Sequence, residues 1–198
     1  MSRPFWMAAA LVGLASIAAS FGPAEQALGI HVRWVYLHGA WVWTALVAFG
    51  AACLLGLAGL LARNRGVSTW SVAFGQTGLL FWLTYLPISL WTMQTNWNGL
   101  YLAEPRFRIG VDFAISGLLL QMAILLLRRP CLSGGLNAAF AAALFYALRS
   151  ADQVMHPPSP ILTSNSPAIR VFFLAMVAIM LLAGLALGVS LRRWQPET

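Results

Sequence analysis

Six stretches of this chain, Phe5–Phe21, Gly39–Leu61, Ser71–Met93, Ile109–Leu127, Leu132–Ser150 and Val171–Leu191, approach the roughly 20 mainly apolar residues that a helix needs to cross a bilayer. With 198 residues, 60% hydrophobic and only 9% charged, the chain cannot hide runs of this length and number in a water-soluble core. The expected fold is therefore an all-α integral membrane protein, a single domain over residues 1–198 built as a six-helix transmembrane bundle. No internal repeat and no soluble domain is visible. The first stretch has an alternative reading as a cleaved leader, since Arg3 precedes it and the small residues Ala18, Ala19 and Ser20 end it. The fifth is the weakest, because Ser133, Gly134, Gly135 and Asn137 stand at its start.

The formal charge of +7 comes with basic residues that are all arginine. They are scattered singly and in pairs between apolar spans instead of forming a stripe, which excludes nucleic acid as the expected partner. Helix alternation puts Arg3, Arg63, Arg65, Arg128, Arg129, Arg192 and Arg193 on one side and Arg33, Arg106, Arg108, Arg149 and Arg170 on the other. The excess on the first side predicts cytoplasmic termini. Three loops, near residues 22–38, 94–108 and 151–170, then face outwards. Cys53 lies in mid-span and Cys131 at a helix end, so no disulfide is expected, and no C-x-x-C-H motif for covalent haem is present.

All three histidines, His31, His38 and His156, fall in or beside the outer loops, together with Trp34, Trp41, Trp43, Trp91 and Trp97. A neutral imidazole at the end of a packed helix can ligate haem iron or another transition metal. Met155, Pro157, Pro158 and Pro160 would hold His156 in an extended turn. The ordinary alternative is that the tryptophans form an interfacial belt and the histidines have no ligand role. The second outer loop, Trp97 to Phe107, has the composition of a short amphipathic segment lying on the membrane, or of an apolar platform for a planar ligand with Arg106 or Arg108 for its carboxylates. Trp97 and Tyr101, four apart, would share a helical face. Asp112, the one acid within an apolar stretch, stands four residues after Arg108, which predicts a structural ion pair. Gln76, Thr77, Thr84 and Pro87 in the third stretch read as packing or bend residues.

Three of these elements resemble the CcmC-type haem-handling proteins of the cytochrome c assembly family, over roughly Ala24 to Arg193. The run from Arg33 to Trp41, with Tyr36 and His38, is similar to the family's R-x-x-Y-x-H-x-P-x-A-W, though it is two residues shorter and lacks the proline. Trp97 to Phe107 lies without gaps on W-G-x-x-W-x-W-D-x-R-L. There Trp97 and Arg106 match and Tyr101 and Glu104 are conservative replacements, while two of the pattern's tryptophans are not kept and Leu100 and Ala103 leave the stretch less aromatic. Met155 to Ile161 is similar to L-H-Q-P-A-S-I, with His156 on the histidine.

The resemblance implies non-covalent haem b at the outer face of a bacterial inner membrane. His38 and His156 would be its iron ligands, and Trp97, Tyr101, Arg106 and Trp41 would surround it. It further implies haem transport to a haem chaperone and to ABC transporter subunits in cytochrome c-type biogenesis, with no enzymatic step. Two other readings stand beside it. One is a degenerate paralogue acting as a structural membrane subunit without haem. The other is a small-solute or lipid transporter using Asp112 and Arg108.

Overall fold

The structure, a computed structural model, describes residues 2–155 and 160–195, with the backbone only at Pro130. Six helices follow one another: α1 (Arg3–Ala19), α2 (Val32–Leu61), α3 (Arg65–Trp97), α4 (Pro105–Leu127), α5 (Pro130–Arg149) and α6 (Pro167–Arg192). No strand occurs among the described residues, only an isolated bridge between Glu25 and Gly29. Four helices, α2, α4, α5 and α6, are long and apolar enough to cross a membrane, which makes this a multi-pass membrane protein. The 17-residue α1 is shorter. The 33-residue α3 is more polar, because Ser68, Ser71, Thr77 and Ser89 are buried against its neighbours.

Helix ends follow local chemistry. α4 and α6 start at prolines whose missing N–H costs nothing in the first turn, and the Glu104 carboxylate and Ser166 hydroxyl accept from the backbone three residues on. Asn64 caps α3 in the same way. Arg63, Asn98 and Arg128 end α2, α3 and α4 in the left-handed region, so the chain turns back within a few residues.

Ser2 and Ser190 are hydrogen-bonded at 2.7 Å, which brings the start of α1 and the end of α6 to one end of the bundle. At the other end Asn96, near the end of α3, donates to the carbonyl of His31 at the start of α2. The 30-residue α2 and 33-residue α3 measure about 45 and 50 Å at helical rise, well beyond a hydrocarbon core of about 30 Å. Each therefore begins or ends well outside its apolar stretch. α2 starts at Val32 instead of near Gly39, and α3 runs from Arg65 to Trp97 instead of over 71–93.

Small residues set the helix crossings. Gly56 of α2 and Gly134 of α5 meet so closely that a Cβ on Gly56 would run into the Gly134 carbonyl. Beside them the Gln121 amide donates to Asn137 at 2.9 Å, Asn137 donates to the Ser71 carbonyl at 3.1 Å, and Ser71 donates to the Ala52 carbonyl at 2.6 Å. This chain of polar groups ties α4, α5, α3 and α2 together inside the bundle. The polar start of α5, expected to make a weak span, is thus its packing surface.

Candidate functional site

The three predicted outer loops gather at one end of the bundle. The chain leaving α1 is fastened to the first turns of α2, where the Arg33 guanidinium donates to the Gly22 carbonyl at 3.0 Å and the Tyr36 hydroxyl to the Pro23 carbonyl at 2.8 Å. Glu25 closes this loop by accepting from the backbone N–H groups of Leu28 and Ala27, which hold its carboxyl below the usual range. Gly29, at φ 57°, supplies the left-handed residue of the turn.

His38 lies less than two turns further along α2, half-buried, with its ring 5.8 Å from that of Tyr85 on α3. Tyr85 packs in turn against Trp82, with ring centroids 4.7 Å apart and planes inclined by 56°. Both reach α4, since the Trp82 indole donates to the Gly110 carbonyl at 3.0 Å and a Cβ on Gly110 would strike the Tyr85 hydroxyl. Trp41, one turn below His38, donates its indole N–H to the Thr84 hydroxyl at 2.8 Å and packs edge-on against Phe81. Above His38, Trp34 and Trp91 pair edge to face at 5.9 Å. His31 is exposed at the head of α2.

The second outer loop is not a helical segment lying on the surface. Trp97 is the last residue of α3, Asn98 turns the chain, and Pro105 is already the first residue of α4, so 98–104 is a tight connection. The Asn98 and Gly99 turn and the Glu104–Pro105 start signal divide a stretch that composition alone reads as continuous. Trp97 and Tyr101 do meet, edge to face at 5.8 Å, across this turn and not along a helix face. Glu104 does not share an outward face with them. It is buried, and one of its oxygens accepts from the Phe107 N–H at 2.6 Å. Arg106 lies half-buried on the first turn of α4.

Leu100, Tyr101, Glu104 and Pro105 face Gln153 and Met155 across a shallow hollow of about 570 Å³, which joins the second and third loops. His156 itself lies outside the described residues. Of its surroundings, Met155 lines this hollow, and Ile161 enters the apolar core with Tyr36, Leu37 and Tyr85.

Arg108 and Asp112 form no ion pair, contrary to expectation. Both are exposed on α4 and line a second hollow of about 410 Å³ with Leu102, Phe107 and Val111. Spacing of four places two residues on one face but does not make them reach each other where both heads extend into open surface. Gln76 and Thr84 act between elements, Gln76 by accepting from Gln195 and Thr84 from Trp41, while Thr77 bonds back to its own helix. Cys53 and Cys131 are both free. Among the described residues no three metal-binding side chains cluster. The residues that the sequence did not single out are Tyr85, Trp82 and Gly110, whose roles arise only when α2, α3 and α4 are packed together.

Fold and site together define an all-helical, multi-pass membrane protein with a histidine and aromatic cluster at one end. Compared with family models, with curated proteins and with solved structures, the chain matches none.

Proposed function

We propose that this protein is a haem-binding and haem-transfer subunit of c-type cytochrome maturation, a six-span bundle with both termini in the cytoplasm of a bacterial inner membrane. The observation that carries the reading is the setting of His38. An imidazole is held towards the loop end of the bundle against Tyr85, and at that same end Tyr101, in contact with Trp97, faces Met155, the residue before His156, across a hollow. That donor chemistry fits a haem iron. His38 and His156 would supply the axial nitrogens, Trp97 and Tyr101 an aromatic wall, and Arg106 a partner for a propionate. Trp41 has its N–H committed to Thr84, so its contribution would be the indole face.

Bound haem b would supply an exchangeable iron porphyrin and no reaction of its own. The chain's part is to hold one ring edge dry, to present it to a haem chaperone at the exposed loops, and to dock ABC transporter subunits within the membrane. The absorbance spectrum of the purified full chain, oxidised and reduced, tests this. Low-spin haem bands are expected. Their absence after expression with ample haem would leave a structural subunit as the better account.

A further inference from the structure

We propose that the loop end of α4 seats the headgroup of phosphatidylethanolamine, with its ammonium on Glu104 and its phosphate on Arg108. Glu104 is only 6% exposed, and while one carboxylate oxygen caps α4, its Oε1 is buried without a hydrogen-bond partner. A buried carboxylate oxygen left in that state costs free energy unless a donor comes to it. Glu104 lines the 570 Å³ hollow, and Leu102 forms a shared wall between that hollow and the 410 Å³ one of Arg108 and Asp112.

The order of groups along α4 follows the lipid. Glu104 precedes Ile109, where the apolar stretch begins, by five residues, about 7 Å outside it at helical rise. Arg108 is one turn nearer the hydrocarbon, and beneath it Ile115, Leu118, Leu119 and Met122 are exposed for acyl chains. Ammonium, phosphate and chains of the lipid occur in that order from water inwards. Charge agrees as well. Among the groups that line the two hollows, two carboxylates, Glu104 and Asp112, stand against the Arg108 guanidinium, with Arg106 outside the lining, and this balance favours a zwitterion whose cation is accessible over an anionic headgroup. A primary ammonium can donate to Oε1, whereas choline has no N–H to give. The site borders the hollow that the haem reading uses, but it rests on Glu104 and Arg108, neither of which has a part in the proposed haem site, so haem content and lipid preference are read separately.

Native mass spectrometry on the full chain, with ethanolamine, choline and glycerol phospholipids of matched chains, tests the proposal. Retention of the ethanolamine lipid should exceed that of the choline lipid by about tenfold, the usual worth of one charge-assisted hydrogen bond. Glu104→Gln keeps a carbonyl oxygen for the cap but turns the free acceptor into a donor, and should abolish the preference. Arg108→Ala should weaken both zwitterionic lipids alike. Equal retention of the two headgroups by the wild type, preference for the glycerol lipid, or an unchanged preference in Glu104→Gln would overturn it. So would binding of free ethanolamine as tightly as of the lipid. Should Glu104→Gln fail to fold, mono- and dimethylated ethanolamine lipids on the wild type decide, since retention must fall as N–H groups are removed.

Discussion

His38 on α2 and Tyr85 on α3 face each other with ring centroids 5.8 Å apart and planes inclined by 54°. The contact fixes one edge of the imidazole, and Tyr85 is fixed in turn by Trp82 and by the space that Gly110 leaves for its hydroxyl. Tyr85→Phe keeps the ring and should leave haem content nearly unchanged. Tyr85→Ala opens a cavity and should cost about 3 kcal/mol of stability. Replacing His38 or His156 by alanine should change the haem spectrum itself, whereas Trp97→Ala and Arg106→Ala should lower haem retention with the spectrum intact. Unchanged haem in both histidine variants would rule out axial ligation by this pair.

The crossing of α2 and α5 leaves no room for a side chain at Gly56, because a Cβ there would meet the Gly134 backbone. Gly56→Ala should force the helices apart and cost about 1–3 kcal/mol, lowering the thermal midpoint in detergent. Gly135→Ala is the control. Its Cβ would lie 3.4 Å from a flexible Leu60 methyl, so it should be close to neutral. Equal destabilisation by both would refute the close crossing.

Much of this fold is legible in the sequence because hydrocarbon demands long apolar helices: six helices stand where the apolar runs do, and four of them are long and apolar enough to cross a membrane. What escaped is polar within helices. Residues such as Ser68, Ser71 and Asn137 look like weaknesses in a span until a neighbouring backbone or side chain answers them. The loop ends differ for a related reason, since helix continues past the apolar stretch wherever residues such as Trp34 and Tyr36 find partners outside it. His38 was readable from the sequence. Its contact with Tyr85 was not, because 47 positions separate the two and no local period links them.

Asn137 accepts from Gln121 and donates to Ser71, at both its carbonyl and its hydroxyl, in the buried polar chain. Asn137→Ala removes these contacts and strands the Gln121 amide. Interhelical hydrogen bonds in membranes average only about 0.6 kcal/mol, so the expected loss is about 1–2 kcal/mol, reflecting the lost bonds and an unpaired amide. Adding Gln121→Leu should recover part of it. Additive losses in the double variant would show that the two residues are not coupled.

Glu25 orders the first loop through its carboxylate, and its backbone donors hold the carboxyl below the ordinary value of 4.5. A lowered folded-state value means that the carboxylate stabilises the loop above the unfolded-state value, and that this contribution disappears as pH falls through the folded one. Amide exchange at Ala27 and Leu28 should therefore accelerate as pH drops below about 4.5, after correction for intrinsic rates. Glu25→Gln should show faster exchange already at neutral pH, because a neutral amide accepts more weakly. Identical protection in that variant would show that the turn holds without the charge.

Helix α3 is less apolar than its neighbours yet must cross the membrane if the helices alternate. Its polar residues are answered inside the protein. Ser71 donates to Ala52, Thr77 to Ala73, and Ser68 to Asn64, so none of these hydroxyls meets lipid unpaired. Insertion should then depend on its neighbours and not on its own hydropathy. Reporters inserted in the full chain at Arg65 and Arg129 should be active only in the cytoplasm, and those inserted at Gly99 and Gln153 only outside. A fusion after Gly99 truncates the chain before α5, whose Asn137 lies against Gly75 and donates to Ser71. That truncated fusion should therefore report a mixture, and a reporter inserted at the same site in the full chain should report the outside alone. Cytoplasmic activity at Gly99 in the full chain would make α3 a surface helix and would overturn the six-span arrangement.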